Sequence, residues 1–100
     1  MIKHVVIWKL KEQGSPSERL EHARRMKRDI EALKEQIPEI ERLEVGLTMC
    51  DSRDGGDVAL YSEFASMADL DIYQNHPAHQ AVVAFVREVA ADRSVVDYEV

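Results

Sequence analysis

The sequence has 100 residues, which is the size of one ordinary domain and predicts a single domain over residues 1–100. Its formal net charge of −6 disfavours nucleic acid as a partner, because that charge repels phosphate backbones. No run approaches the roughly 20 apolar residues of a membrane span, and the start lacks the features of a signal peptide, so we expect a cytoplasmic protein that does not bind membranes.

The first predicted strand covers residues 2–10, and both of its faces are apolar at the centre. Val6 and Trp8 lie on one face, and Val5 and Ile7 lie on the other. A strand that is apolar on both faces needs cover on both sides. The chain's own helices can cover one face. In a chain this short, a second subunit is the natural cover for the other, so we expect a homodimer.

A long amphipathic helix is predicted next. Ser15 can cap it, Pro16 suits the first helical position, and Glu18 completes a capping box. Pro38 ends it, because the residue before a proline is pushed out of the helical region. Apolar residues at three- and four-residue steps form one stripe along it: Leu20, Ala23, Met26, Ile30, Leu33 and Ile37. The helix has one basic cluster, and its residues can pair with acidic residues four positions away, such as Glu21 with Arg25 and Lys27 with Glu31. This is typical of a solvated face. The cluster consists of Arg24, Arg25, Lys27 and Arg28.

Two more strands are predicted over residues 40–49 and 57–65. In the first of them the alternate residues share one apolar face: Leu43, Val45, Leu47 and Met49. The polar segment from Asp51 to Asp57 between the strands reads as a turn, because it contains two consecutive glycines. It matches neither a calcium loop nor a phosphate-binding loop.

A second helical region begins at Ser66, with Asp69 three residues later, and is interrupted at Asn75-His76-Pro77. Its second segment points Val82, Phe85 or Val86, and Val89 inward, and residues 94–100 form the last strand. The order β-α-β-β-α-β with short, right-handed connections predicts an α+β, ferredoxin-like fold. In this fold the first and third strands of a four-stranded antiparallel sheet are central, the last strand lies beside the first, and both helices cover one face.

The candidate functional residues are the segment Tyr73-x-x-His76-Pro77-x-His79, His4, Trp8 and Asp97. A carboxylate buried without a partner is costly, so Asp97 is either at an exposed edge or paired. Its candidate partners are Arg87, Arg93 or a histidine. If Asp97 contacts His79, it orients that ring as a general base. Tyr73 can then hold a carbonyl or enolate oxygen in the same cavity.

Each of these residues also has a structural explanation. His79 can make a structural hydrogen bond or contact a ligand instead of acting as a base. His76 precedes a proline and is expected to cap the helix break, while His4 and Trp8 can be core or pocket-wall residues. His76 and His79 do not have the supporting ligands of a metal site. Because Cys50 is the only cysteine, it can form neither an internal disulfide nor a metal site with a second cysteine. We expect no metal and no cofactor.

Three motifs at these spacings resemble the stress-responsive α/β-barrel (Dabb) family along residues 1–100: Met-Ile-Lys-His-Val-Val at the start, Tyr-x-x-His-Pro-x-His, and Val96-Asp97-Tyr98. The resemblance implies a ferredoxin-like monomer that dimerises into an α/β barrel. Some plant members are polyketide cyclases that close an aromatic ring by aldol chemistry. The resemblance to them implies catalysis by Tyr73 and His79, with Asp97 supporting the histidine. The aliphatic stripe of the first helix departs from those cyclases, which have aromatic residues there.

The leading functional hypothesis is the binding of a small, mostly apolar or aromatic molecule between sheet and helices, with contacts from His4, Val6, Trp8 and His76. General-base chemistry at His79 can accompany it. The alternative is a non-catalytic, dimeric stress or interaction module. A roomy cavity with a solvated His79 favours the first, and a filled cavity with His79 bonded to backbone favours the second. An oxygen-dependent monooxygenase is a third hypothesis, based on fold analogy alone.

Overall fold

The computed structural model describes residues 1–50 and 55–100, and it has the predicted order of elements with each helical region divided in two. The strands are β1 (Ile2–Leu10), β2 (Ile40–Leu47), β3 (Val58–Phe64) and β4 (Ala90–Glu99). The helices are α1 (Pro16–Glu31), α2 (Leu33–Gln36), α3 (Met67–Asn75) and α4 (Pro77–Val89).

The strands form a four-stranded sheet in the order β2-β3-β1-β4, and all neighbouring strands are antiparallel. This is the predicted α+β, ferredoxin-like arrangement, in which β1 and β3 are central and β4 lies beside β1. The register places Val6 of β1 opposite Leu60 of β3 and Val95 of β4. Because side chains alternate along a strand, this register decides which residues of β4 share the helix-covered face with Val6.

The first helical region differs from the single helix predicted up to residue 37. α1 ends at Glu31, and the N–H of Ala32 donates to carbonyls of the last turn before α2 begins. Ile37 is extended, with φ of −121°, as expected for the residue before Pro38. The apolar stripe is buried as predicted except at Leu20, which is 44 % exposed.

The strand limits also differ from the prediction. β2 ends at Leu47, so Met49 lies beyond the last residue paired with β3 and is fully exposed, which corrects the predicted apolar face. β4 begins at Ala90, directly after α4 and four residues earlier than predicted. The polar segment from Asp51 to Asp57 falls for the most part on residues 51–54, outside the described residues.

The hydrophobic core lies between the sheet and the helices as two adjoining clusters. The cluster under α1 and the end of α4 contains Val6, Trp8, Leu10, Ala23, Met26, Ile30, Val45, Val58, Leu60, Val86 and Val89. The cluster under α2 and α3 contains Ile2, Leu33, Ile37, Ile40, Phe64, Leu70 and Tyr73. The polar residues His4 and Ser62 are buried among them.

α1 also protects the outer edge of β2. The Glu31 carboxylate accepts from the Val45 N–H (3.1 Å), and the Lys27 ammonium donates to the Val45 carbonyl (2.6 Å) and to Glu31 (2.9 Å). Exposed strand edges invite unwanted pairing, and here both groups of the edge residue are occupied. Burial by itself would raise the pKa of Glu31, but these hydrogen bonds outweigh it and hold the pKa below its ordinary value.

The opposite face of the sheet carries an exposed apolar patch formed by Val5, Ile7, Val96 and Tyr98. The register sets Val5 opposite Val96, and Ile7, Val96 and Tyr98 are 46, 58 and 43 % exposed. This is the apolar second face predicted from β1. None of the helices in the described residues is long and apolar enough to cross a membrane.

Candidate functional site

A cavity of about 400 Å³ lies between the sheet and the helices, which is within the usual size range of small-molecule sites. Its wall is formed mainly by apolar side chains of β1, β3 and α4, including Val6, Trp8, Leu60, Val82 and Val86. The predicted ligand contacts Val6 and Trp8 therefore lie on one wall.

The tyrosine and the three histidines among the candidate residues separate into two groups at this cavity. His4, Tyr73 and His79 line it, whereas His76 does not. The His76 Nδ1 accepts a hydrogen bond from the Ala78 N–H (3.0 Å) and caps the start of α4. The structure thus gives His76 the capping role predicted for it and places it outside the proposed set of ligand contacts.

Asp97 contacts His4 rather than His79, which corrects the predicted pairing. Asp97 of β4 lies directly opposite His4 of β1, and the His4 Nδ1 is hydrogen-bonded to the Asp97 carboxylate. Because an ionised carboxylate only accepts, the hydrogen of this bond is on Nδ1. The pairing with Arg87 or Arg93 considered from the sequence is not formed either, since neither arginine has an ion pair among the described residues.

The other ring nitrogen of His4 is open to the cavity. The His4 side chain is 3 % exposed, and its Nε2 has no hydrogen-bond partner within the described part of the chain. Among the described residues, every fully buried side-chain nitrogen or oxygen has a hydrogen-bond partner. Since Nε2 has none, it is not fully buried and reaches solvent-accessible space. The pair of Asp97 and His4 is therefore a carboxylate-oriented imidazole whose free nitrogen faces the cavity.

His79 is oriented by backbone instead of by a carboxylate. Its Nδ1 lies 3.0 Å from the carbonyl oxygen of Gln74. A carbonyl only accepts, so Nδ1 carries the hydrogen and Nε2 keeps its lone pair. Burial lowers the pKa of His79, and the neighbouring charges of His4 and Arg93 lower it further, against the opposing effect of the Gln74 bond. The ring is thus neutral at pH 7, which is the form a general base requires.

The ring of Tyr73 packs beside this base. Its ring centroid lies 4.5 Å from that of His79, and the residue is only 1 % exposed. The hydroxyl has no hydrogen-bond partner among the described residues and is not fully buried, so it faces the cavity. Burial raises the pKa of Tyr73, which keeps the hydroxyl protonated and able to donate to a developing oxyanion.

Two features of the site were missed from the sequence. The first is the Gln74 carbonyl, which becomes available to His79 because the chain turns at the break at His76-Pro77. The sequence predicts the break but not the acceptor that it frees. The second feature is the presence of Arg93 in the cavity wall. Arg93 lies just before the predicted start of the last strand at residue 94. Had β4 been extended back from Asp97, the two-residue period would have placed Arg93 on the same face.

Comparison with known proteins agrees with the motifs quoted from the sequence. Residues 2–100 match the family described as Stress responsive A/B Barrel Domain (Dabb). The chain belongs to the Dabb family. A dimeric, ferredoxin-like protein of unknown function from Bacteroides fragilis is 37 % identical to this Dabb chain, with a TM-score of 0.90 over 99 % of this chain and 95 % of that one.

More distant structures share the fold alone. A hydroxynitrile lyase from Passiflora edulis is 21 % identical, with a TM-score of 0.80 over 99 % of this chain and 92 % of that one. An antibiotic biosynthesis monooxygenase is 19 % identical, with a TM-score of 0.75 over 100 % and 98 % of the two chains. The comparison with curated proteins gives no match. The family and the fold are therefore established.

Proposed function

We propose that this Dabb-family protein binds a small, mostly apolar carbonyl compound in the cavity and removes a proton from the carbon next to the carbonyl. The observation that carries the proposal is the adjacency of Tyr73 and His79 on one cavity wall, with ring centroids 4.5 Å apart. One supplies a protonated hydroxyl and the other a neutral imidazole. These are the two groups that an enolisation needs.

In this reaction the C–H bond breaks and its proton moves to Nε2 of His79. The electron pair of that bond forms a C=C bond, and the π pair of the carbonyl moves to its oxygen, which becomes an enolate oxygen stabilised by a hydrogen bond from the Tyr73 hydroxyl. The Gln74 carbonyl keeps Nδ1 protonated and stabilises the imidazolium that forms. His4, oriented by Asp97, faces the same cavity and is the candidate to return a proton to the product.

The non-catalytic module remains the alternative function. It predicted a filled cavity and a His79 bonded to backbone. His79 does bond to backbone, but through one nitrogen only, and the cavity beside it has a volume of about 400 Å³. The open volume and the unpartnered Tyr73 hydroxyl favour ligand binding. The monooxygenase hypothesis has the shared fold as its support, and a fold does not establish an activity.

A general-base probe tests the proposal without knowledge of the substrate. 5-Nitrobenzisoxazole loses one proton to a base and opens to a coloured phenolate. We expect His79→Gln to lower the catalysed rate about 100-fold or more and Tyr73→Phe to lower it about tenfold or more. His22→Gln is the matched control, since His22 lies on α1 outside the cavity. Equal rates for the wild type and His79→Gln would refute the proposed base.

The pH dependence of the same rate adds a second criterion. Because burial lowers the pKa of His79, the neutral base persists below the ordinary histidine pKa of about 6.5. We expect the rate to rise with pH to a plateau with a midpoint below that value. A midpoint above it would contradict the assignment of His79 as the base.

We further propose that the protein is a homodimer joined through the helix-free face of the sheet, forming an α/β barrel. The exposed patch of Val5, Ile7, Val96 and Tyr98 supports it, as does the relative from Bacteroides fragilis, which is described as dimeric. Light scattering should give a dimer for the wild type and a monomer for Ile7→Lys. Leu20→Lys, at a residue of similar exposure on α1, should remain dimeric. A monomeric wild type would refute the proposal.

The cytoplasmic location stays a prediction, which cell fractionation can test.

A further inference from the structure

The cavity combines an apolar wall with two cationic side chains. Arg87 of α4 and Arg93 of β4 line it, and none of its lining residues in the described part of the chain is an aspartate or glutamate. The whole chain has 19 acidic and 13 basic Lys and Arg residues. The cavity lining is therefore positively charged, whereas the protein as a whole is negatively charged.

Arg93 is placed toward the reacting groups by the sheet register. It lies opposite Trp8, while Val95 and Asp97 of the same strand lie opposite Val6 and His4. All of these residues lie on the helix side of the sheet, where Arg93 and Val95 of the edge strand β4 are themselves exposed. The positive charge of Arg93 acts on both candidate catalytic groups, since it partly offsets the burial-raised pKa of Tyr73 and adds to the lowering of the pKa of His79.

The charge of Arg93 is not neutralised within the described residues. Neither Arg93 nor Arg87 has an ion pair there, whereas Arg25 pairs with Asp29 and Arg42 pairs with Glu44. An unpaired guanidinium beside an apolar, partly enclosed wall attracts an anion more strongly than one in bulk water. The planar guanidinium fork matches a carboxylate with two parallel hydrogen bonds.

We infer that the ligand of this cavity is an apolar carboxylic acid, with its carboxylate bound by Arg93 and its reacting carbonyl at Tyr73 and His79. The inference rests on the proposed function and narrows its substrate class. The apolar body lies along Val6, Trp8 and the valines of α4, and Arg87 adds positive potential at the same wall.

A pair of nearly isosteric probes tests this charge preference. 2-Naphthoate and 2-naphthamide have the same ring system and differ in the charge of one group. By titration calorimetry we expect the wild type to bind the naphthoate about tenfold or more tightly than the amide. Arg93→Gln should reduce this ratio to about two or less. Arg93→Lys should retain part of it, because it keeps the charge and loses the fork.

Arg24→Gln is the matched control, because it removes the same charge from an exposed residue of α1. It should keep the wild-type ratio. Equal affinities of the wild type for the two probes, or an unchanged ratio in Arg93→Gln, would overturn the inference while leaving the cavity and its base intact. Binding of neither probe at millimolar concentration would overturn this inference together with the proposed ligand site.

Discussion

The contact between His4 and Asp97 allows a quantitative test of the site's framework. Asp97→Ala removes the partner of His4 Nδ1 and leaves a ring nitrogen in a side chain that is 3 % exposed. Asp97→Asn keeps an acceptor oxygen but removes the charge. The two substitutions therefore separate the loss of the hydrogen bond from the loss of its ionic part.

The expected size of the effect follows from the burial of the two partners. Removing the partner of a buried donor costs about 1–3 kcal/mol. The side chain of Asp97 is 33 % exposed, so water can approach the vacated position and the lower part of that range, about 1–2 kcal/mol, applies. For a domain of this size this corresponds to a decrease in Tm of about 4–16 °C. Asp97→Asn should cost less, about 0.5–1 kcal/mol.

Urea denaturation at a fixed protein concentration measures both effects, with the concentration held constant because a dimer's stability depends on it. Glu99→Gln is the control, since Glu99 is an exposed residue of the same strand, and it should change the free energy of unfolding by at most about 0.5 kcal/mol. If Asp97→Ala and Glu99→Gln were equally stable, the buried contact would contribute nothing and the assigned orientation of His4 would be wrong.

Three further predictions concern the core, the protected edge and the titration of the site. Phe64→Ala, at a fully buried ring that packs on Tyr73, should cost about 3–5 kcal/mol in urea denaturation. Glu31→Gln should lower the free energy of unfolding at pH 7 but not at low pH, because stability from the lowered pKa of Glu31 is present above its unfolded pKa and lost as pH falls through the folded one. His79 also has a lowered pKa, so the unfolded chain binds more protons just below pH of about 6.5 and stability should decrease with falling pH there. A His79→Gln variant that keeps the same urea-midpoint pH profile would contradict this.

The local signals of the sequence predicted the elements well. Ser15 and Ser66 cap their helices as predicted, each accepting from the backbone N–H three residues later. Pro38 follows an extended residue, and the break at His76-Pro77 separates α3 from α4. These features depend on groups a few residues apart, so the sequence carries their whole cause.

The strand ends were predicted less well, because periodicity alone does not show where pairing stops. Met49 continued the alternation of β2 but lies past the last residue that pairs with β3. Residues 90–93 lack an apolar alternation, so the sequence predicts a start of β4 at residue 94. Ala90, Asp92 and Arg93 nevertheless pair with the last residues of β1, across a register irregularity at Ala91. Hydrogen bonds to β1, rather than burial, define that part of the strand.

The sequence by itself determined the order of elements, the topology of the sheet and the set of candidate functional residues. Capping, turns and the alternation of apolar residues are local patterns, so they can be recognised without the folded structure. Only the tertiary structure decided how those residues combine. The register of β4 on β1 places Asp97 in contact with His4. The turn before α4 places the Gln74 carbonyl beside His79. The packing of α4 leaves the cavity open. The contact of Asp97 with His4 joins opposite ends of the chain, and a shift of one residue in the register of β4 would turn Asp97 to the other face of the sheet. Gln74 and His79 are close in sequence, but they meet only because the chain turns between α3 and α4.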